Sequence, residues 1–150
     1  MPAEEAAREE AQTASPACPP CPEADETNES DRELASVVRD ISRYTAMTPE
    51  ARQDAQKTLS AKLNDKIAAN DSDRIRLAGL LSLRGNLQSD QRALELLATV
   101  RKSKETSEDL HQFAGTLSRL LSVRVREMQK LQALSEMEKN LLQEKIGNPN

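Results

Sequence analysis

The sequence is short of the residue types on which most catalytic and nucleic-acid chemistry depends. Its 150 residues include 4 glycines, one histidine, no tryptophan and 1% aromatic side chains. Scarce glycine argues against tight β-hairpin turns and phosphate-binding loops, and scarce aromatics argue against platforms on which nucleic-acid bases stack. No apolar run reaches the roughly 18 residues that a membrane-spanning helix needs. These shortages disfavour nucleotide-binding enzymes, single-strand nucleic-acid binders and membrane-spanning proteins.

Helix-forming residues are what the sequence has in abundance. Ala, Leu, Glu, Gln, Arg and Lys predominate, and hydrophobic and charged residues make up 37% and 31% of the chain. This composition predicts an all-α fold with a small core and a strongly solvated surface. Basic and acidic residues alternate along the body of the chain instead of gathering on one face. Nucleic acid is therefore not expected as a partner.

The first 28 residues form an acidic, proline-containing leader. Residues 1–30 hold eight acidic side chains and one basic one, and four prolines cluster within residues 15–22. A segment so charged and so poor in apolar residues cannot offset the entropy lost on folding, so a disordered tether is expected over residues 1–28. The C-x-x-C of Cys18 and Cys21 lies between prolines, not at a helix N-terminus, where a redox cysteine is activated. A passive spacer is favoured over a redox or metal role.

Residues 29–105 predict a domain of short helices. The first helix is expected to begin at Ser30 or Asp31. The Thr-Pro-Glu stretch at residues 48–50 predicts the start of a second helix. The threonine hydroxyl can cap the helix, and proline is tolerated at the first helical position because a backbone N–H there would have no partner within the helix. The apolar stripe of this second helix runs in steps of four as far as Ile67.

Two further short helices are predicted to form an αα-hairpin. The segment Asp73–Leu83 is apolar on nearly all sides, which is typical of a short helix in the middle of a packed domain. An Arg-Gly-Asn stretch at residues 84–86 ends it, and a fourth helix with a narrower apolar stripe is expected from Ser89. The short turn between these two helices places them side by side.

One long helix is predicted for residues 106–146, followed by a tail at 147–150. Thr106 and Asp109 have the spacing of a capping box, and no proline or strong helix breaker follows before Gly147. A helix of about 40 residues is roughly 60 Å long, too long for four short helices to cover. Its apolar residues recur in steps of three and four without strict heptads. Part of this stripe is expected to contact another chain, and the candidate interface residues are Leu117, Leu121, Val125, Met128 and Leu131.

No catalytic, cofactor or metal site is predicted. His111 is the only histidine, and it is expected to be a solvated residue near the start of the long helix. General acid–base catalysis would need a cleft and a second group positioned beside it. Two cysteines fall short of the four ligands of a structural zinc ion. The sequence therefore predicts a protein that is not an enzyme.

The order of motifs along the body resembles that of one protein family. The Thr-Pro-Glu helix start at residues 48–50 is followed by Asp73–Leu83, by Asp90–Leu97 and by a long Leu/Gln/Glu/Lys helix that reaches residues 136–141. Over residues 31–146 this order resembles the QseG/YfhG-like lipoproteins of Gram-negative bacteria. The resemblance implies a lipoprotein on the periplasmic face of the outer membrane that is the partner of a two-component sensor histidine kinase encoded beside it. It also implies a lipidated N-terminal cysteine, with the leader as a spacer from the membrane.

Two functional hypotheses follow. The first is a periplasmic adaptor that binds the sensor region of the histidine kinase by helix–helix docking and modulates two-component signal transduction, with a lipid anchor as its only membrane contact. The alternative is a cytoplasmic structural protein or assembly chaperone that self-associates, for example as a homodimer. The stretch Met1–Glu5 lacks the positive region and apolar core of a secretory signal. Either a cytoplasmic protein or the mature form of an exported one is expected.

Overall fold

The chain folds as an all-α protein, as predicted. The computed structural model describes residues 24–147, with side chains from residue 29 onward, and this part of the chain contains α-helices and no strand. Most of the predicted leader, including Cys18 and Cys21, and the last residues of the predicted tail lie outside the described residues. The helices are α1 (Ala24–Ala46), α2 (Pro49–Asn64), α3 (Asp71–Ser82), α4 (Leu87–Lys102) and α5 (Glu108–Gly147).

The first helix begins earlier than the sequence predicted. α1 starts at Ala24, so the expected start at Ser30 or Asp31 is wrong. Pro22 is the last proline of the leader, and no residue between it and Ser30 removes a backbone donor or blocks helical geometry. α1 packs against α3 and, to a smaller extent, against α5.

The Thr-Pro-Glu stretch starts α2, as predicted. The Thr48 hydroxyl accepts a hydrogen bond from the backbone N–H of Ala51 at 3.2 Å. Pro49 occupies the first helical position, where a backbone N–H would have no partner within the helix. Arg52 then reaches back to α1, where its Nε donates to the carbonyl oxygen of Tyr44 at 2.8 Å. The junction of α1 and α2 is therefore fixed by hydrogen bonds on both sides.

The predicted extension of α2 to Ile67 is wrong. The helix ends at Asn64, and the Asp65 side chain accepts a hydrogen bond from the backbone N–H of Ile67 at 3.1 Å. This local bond competes with helical hydrogen bonding and turns the chain away from the helix axis. Ile67 is left 97% exposed, so it belongs to the loop and not to the apolar stripe of α2.

The short helix α3 lies at the centre of the domain, as its apolar sequence predicted, and it contacts each of the other four helices. The Asn70 side chain caps it by accepting a hydrogen bond from the N–H of Asp73 at 2.8 Å. Gly79 allows α1 to approach closely, because a Cβ atom at this position would lie 2.8 Å from Cγ1 of Ile41. The buried apolar residues of α3 are Ile75, Leu77, Ala78, Leu80 and Leu81.

α3 and α4 form the predicted αα-hairpin. Gly85 in the turn has a φ of +69°, a left-handed conformation that glycine adopts without steric cost. The Asn86 side chain caps α4 by accepting a hydrogen bond from the N–H of Ser89 at 2.8 Å. The helix therefore begins at Leu87, slightly before the expected start at Ser89. The buried apolar residues of α4 are Ala93, Leu97 and Val100.

α5 is one unbroken helix of 40 residues, as predicted. It begins at Glu108, and the Ser107 hydroxyl accepts a hydrogen bond from the N–H of Leu110 at 3.4 Å. The predicted capping role of Thr106 is wrong, because its hydroxyl instead donates to a carboxylate oxygen of Asp71 at the start of α3. The loop between α4 and α5 is thereby tied to the centre of the domain.

Candidate interaction surface

One arginine of α5 bonds to both helices of the αα-hairpin. Arg124 donates from Nε to Oδ2 of Asp90 at 2.6 Å and from Nη2 to the other oxygen of that carboxylate. The same Nη2 donates to the backbone carbonyl of Ser82, at the end of α3, at 2.6 Å. Asp90 is fully buried near the start of α4, where a carboxylate without a partner would be strongly unfavourable. Arg124 therefore joins α5 to both helices of the hairpin.

A second group of charges holds α1 and α2 against α3. Arg76 lies 2.8 Å from the carboxylate of Asp40 on α1 and 3.0 Å from that of Asp73 on its own helix. The other oxygen of the buried Asp73 carboxylate lies 3.2 Å from Nζ of Lys62 on α2. Burial raises the pKa of the nearby Tyr44 hydroxyl above its ordinary value, and the negative charge of Asp40 adds to this rise. Each of these charges lies near an opposite charge on another helix, although Oδ2 of Asp73 accepts no hydrogen bond among the residues that the structure describes.

A polar cleft of about 370 Å³ lies where α1, the start of α3 and the α4–α5 loop meet. Its central group is the Asp71 carboxylate. Burial alone would raise the pKa of Asp71, but hydrogen bonds from Thr106, Ser103 and Arg74 outweigh burial and lower this pKa below its ordinary value. Thr106, Ser103 and Arg74 thus donate their hydrogen bonds to a carboxylate of the chain itself. This is the arrangement of a structural contact between α3 and the loop.

The single histidine is partly buried. His111 is half-buried, so the prediction of a solvated side chain is wrong, and its Nε2 atom has no hydrogen-bond partner among the residues that the structure describes. On another side of the same helical turn, the Ser30 hydroxyl of α1 donates to Asp109 at 3.3 Å. Within residues 24–147, no group of His, Cys, Asp and Glu side chains is placed to hold a metal ion.

The second half of α5 extends beyond the domain. Val125 is its last buried residue, Met128 is half-buried, and every residue from 129 to 147 is exposed. We call residues 129–147 the overhang. At a rise of 1.5 Å per residue, the overhang is about 28 Å long. The prediction that the short helices cannot cover the whole of the long helix is confirmed.

An apolar stripe on the overhang is uncovered by the rest of the described chain. The exposed fractions of its large apolar side chains range from 53% for Leu142 to 80% for Ile146. Leu120 and Val123, on the outer side of the first half of α5, are also exposed. Leu120, Leu131 and Leu142 are spaced by about three helical turns, so they lie on one side of the helix. We call this set the outer stripe: Leu120, Val123, Leu131, Leu134, Met137, Leu141, Leu142 and Ile146.

The candidate interface residues from the sequence are only partly available. Leu121 and Val125 are buried, Leu117 and Met128 are half-buried, and Leu131 is exposed. The expectation that Leu121 and Val125 remain uncovered is wrong, because α4 packs along that side of α5. Apolar spacing identifies both the buried side and the outer stripe, but only the packing shows where the domain ends along the helix. The available surface therefore lies further toward the C-terminus.

Comparison of the chain with models of protein families, with curated proteins and with solved structures yields no match. In the part that the structure describes, no helix combines the length and the apolar character needed to span a membrane. The outer stripe is therefore the feature on which a functional interpretation rests.

Proposed function

We propose that this chain is a non-enzymatic adaptor that binds a helical partner protein through the outer stripe of α5. The observation that carries the proposal is the overhang, a projecting helix with large apolar side chains that its own domain leaves exposed. A contiguous exposed apolar patch is the usual mark of a protein–protein interaction site. A helix with so few tertiary contacts is also marginally stable alone, so a partner that covers it stabilises it.

The outer stripe offers enough apolar surface for reversible binding. Full burial of a Leu, Ile or Met side chain contributes about 1.5–3 kcal/mol, so a side chain as exposed as Leu141, at 60%, contributes about 1–2 kcal/mol. The large apolar side chains of the overhang together contribute on the order of 8 kcal/mol. Association and side-chain ordering offset a large part of this sum. The balance favours a regulatory contact over a permanent one.

The partner that the family resemblance implies is the sensor region of a two-component histidine kinase, which is itself helical. An amphipathic helix docks into an apolar groove between partner helices through residues spaced by three, four and seven. Leu134, Met137 and Leu141 of the outer stripe follow this spacing. Binding shifts a two-state kinase by the difference in its affinity for the two states. On this proposal, a lipid-anchored adaptor at the periplasmic face of the outer membrane modulates signalling by favouring one kinase state.

The alternative is a cytoplasmic structural protein or assembly chaperone that self-associates through the same helix. The observation in its favour is that exposed charges of opposite sign, Glu127 and Lys145, lie on either side of the apolar residues between Leu131 and Leu142. The two functions differ in whether the monomer binds the kinase sensor region. An adaptor binds the kinase sensor region at concentrations at which it is itself monomeric, whereas a structural protein shows no such binding.

The test uses two double substitutions that introduce negative charge on different sides of α5. Leu134→Glu/Leu141→Glu places two carboxylates on the outer stripe, and Ala133→Glu/Asn140→Glu places two carboxylates with the same spacing on another side of the helix. Affinity for the purified kinase sensor region is measured by isothermal titration calorimetry, with circular dichroism as the check on folding. We expect the first variant to lose at least 10-fold in affinity and the control to match the unmodified chain. Equal affinity of both variants would refute the proposal.

A further inference from the structure

We propose that two copies of this chain pair antiparallel through residues 127–145 of α5 when no other partner covers the outer stripe. The occupant of the stripe is then a second copy of the same helix. This inference concerns the surface on which the proposed function rests, but it does not depend on the identity of any other partner.

One line of residues along α5 has the spacing of a two-helix coiled coil. From residue 127 to residue 145 the steps alternate between four and three, which keeps the line on one side of a gently supercoiled helix. The side chains on this line are exposed in the single chain. We call the line the seam, and its members are Glu127, Leu131, Leu134, Glu138, Leu141 and Lys145.

Antiparallel pairing about the middle of the seam brings opposite charges together at both ends. Glu127 of each copy then faces Lys145 of the other. The next layer inward pairs Leu131 of each copy with Leu141 of the other. Glu127 and Lys145 are separated by about five full helical turns, so they lie on the same side of α5 and can face one partner together. The charged ends and the apolar layers of the seam therefore agree on a single register.

The residues beside the seam favour the same register. Beside the seam and offset from its layers by about two residues along the axis, Lys130 of each copy is near Glu144 of the other, and Met137 is near its own equivalent. In the single chain, Nζ of Lys130 is 3.5 Å from a carboxylate oxygen of Glu127, and both side chains are largely exposed. Such an exposed pair contributes little to stability, so each charge is free to face the second copy. Charges of both signs thus find opposite charges in the dimer.

A parallel pair of the same helices is disfavoured by charge. In register, it would place Glu127, Glu138 and Lys145 each against its own equivalent, so that half of the layers of the seam would hold like charges. In the antiparallel pair, Glu138 faces Leu134 and leaves a polar residue in an otherwise apolar layer. A carboxylate at such a position costs stability, but the antiparallel pair avoids the direct contact of like charges that the parallel pair would have.

The length of the overhang matches the pairing. In the antiparallel register, Val125, the last buried residue of α5, lies across from Gly147, where the helix of the second copy ends. Each domain therefore begins just beyond the tip of the other copy's helix. This register therefore places the two domains at opposite ends of the pair.

Sedimentation equilibrium of the full chain, without any partner, tests the pairing. We expect a concentration-dependent species of twice the 16.6 kDa chain mass. Glu127→Lys alone, or Lys145→Glu alone, should weaken the dimer at least 10-fold, because like charges then face each other at both ends. An equimolar mixture of the two variants should recover it as a heterodimer. The controls are Glu136→Lys and Lys139→Glu, the same charge changes away from the seam, and these should leave the affinity unchanged.

Disulfide capture distinguishes antiparallel from parallel pairing. In a Cys18→Ser/Cys21→Ser background, Leu131→Cys and Leu141→Cys copies should cross-link when mixed and oxidised but not when oxidised separately. Cross-linking of each copy alone would show a parallel pair and overturn the proposal. A chain that stays monomeric up to the highest soluble concentration, or charge variants that associate like the controls, would overturn it as well. Because no kinase is present, failure here would leave the test of the adaptor function untouched.

Discussion

Replacing Arg124 with methionine should lower the free energy of unfolding by about 3 kcal/mol, because it leaves a buried carboxylate without its partner. Asp90 is fully buried and receives two hydrogen bonds from Arg124, while the Ser82 carbonyl receives another. Methionine retains most of the apolar stem of arginine, so the change removes charge and hydrogen bonds and preserves packing. The Arg124 side chain is partly exposed, which places the expected effect at the lower end of the range for broken buried ion pairs.

Urea denaturation followed by circular dichroism measures this effect. Urea is preferable to guanidinium chloride, because a salt denaturant screens the charges under study. For a domain of this size, a loss of about 3 kcal/mol corresponds to a fall in Tm of roughly 10 °C. The matched control is Arg126→Met, which changes an exposed arginine on the same helix and should shift stability by less than about 0.5 kcal/mol. A loss below about 1 kcal/mol in Arg124→Met, as for an exposed ion pair, would refute the anchoring role.

Three further changes test other parts of the fold. Gly79→Ala should lower the free energy of unfolding by about 1–2 kcal/mol in urea denaturation, because the added methyl group meets Ile41. Gly115→Ala has open space around the added methyl group and should raise the free energy of unfolding by up to about 1 kcal/mol. Equal effects of the two changes would contradict the close approach of α1 and α3. Thr48→Ala removes the cap of α2 and should cost about 1 kcal/mol in the same assay, and no loss would show that the cap is dispensable. The pKa of Asp71 is lowered in the fold, so its carboxylate stabilises the protein above the unfolded pKa of about 4, and this contribution is lost as pH falls through the folded pKa. The difference in Tm between the unmodified chain and Asp71→Asn should therefore be largest near neutral pH and should shrink below about pH 4, and a difference that grew on acidification would contradict the sign.

The helices could be predicted from the sequence because their determinants are local. The Thr-Pro-Glu stretch at residues 48–50 acts on the backbone next to it, and the position of α3 follows from apolar residues on all of its sides. The predictions failed where a short polar side chain had an alternative hydrogen-bond partner. Asp65 ends α2 by bonding to the N–H of Ile67, and Thr106 bonds to α3 instead of capping α5. The Asp65 bond competes locally with helical hydrogen bonds, whereas the partner of Thr106 lies 35 residues away along the chain and cannot be read from its neighbours.

The buried charges could not be predicted, because their partners are distant in the chain. Asp90 follows Ser89, the expected first residue of α4, and acidic residues at the start of a helix are typically solvated. Its burial depends on Arg124, and the two meet only when α4 packs against α5. The same packing of α4 against α5 determines which residues of α5 remain exposed for interaction. It buries Leu121 and Val125 and leaves Leu134 on the outer stripe, although all three have similar spacing in the sequence.

Arg124 is bonded to the end of α3 and to the start of α4, so a shift of these two helices would tilt α5 and displace the overhang. Roughly 34 Å of helix separates Arg124 from Gly147, so a tilt of about 5° at the arginine displaces the tip by about 3 Å. Such a displacement is comparable to the width of a side-chain contact. A substitution inside the domain that leaves every surface side chain in place can therefore change how the tip meets another helix, so loss of partner binding does not by itself locate a mutation at the interface.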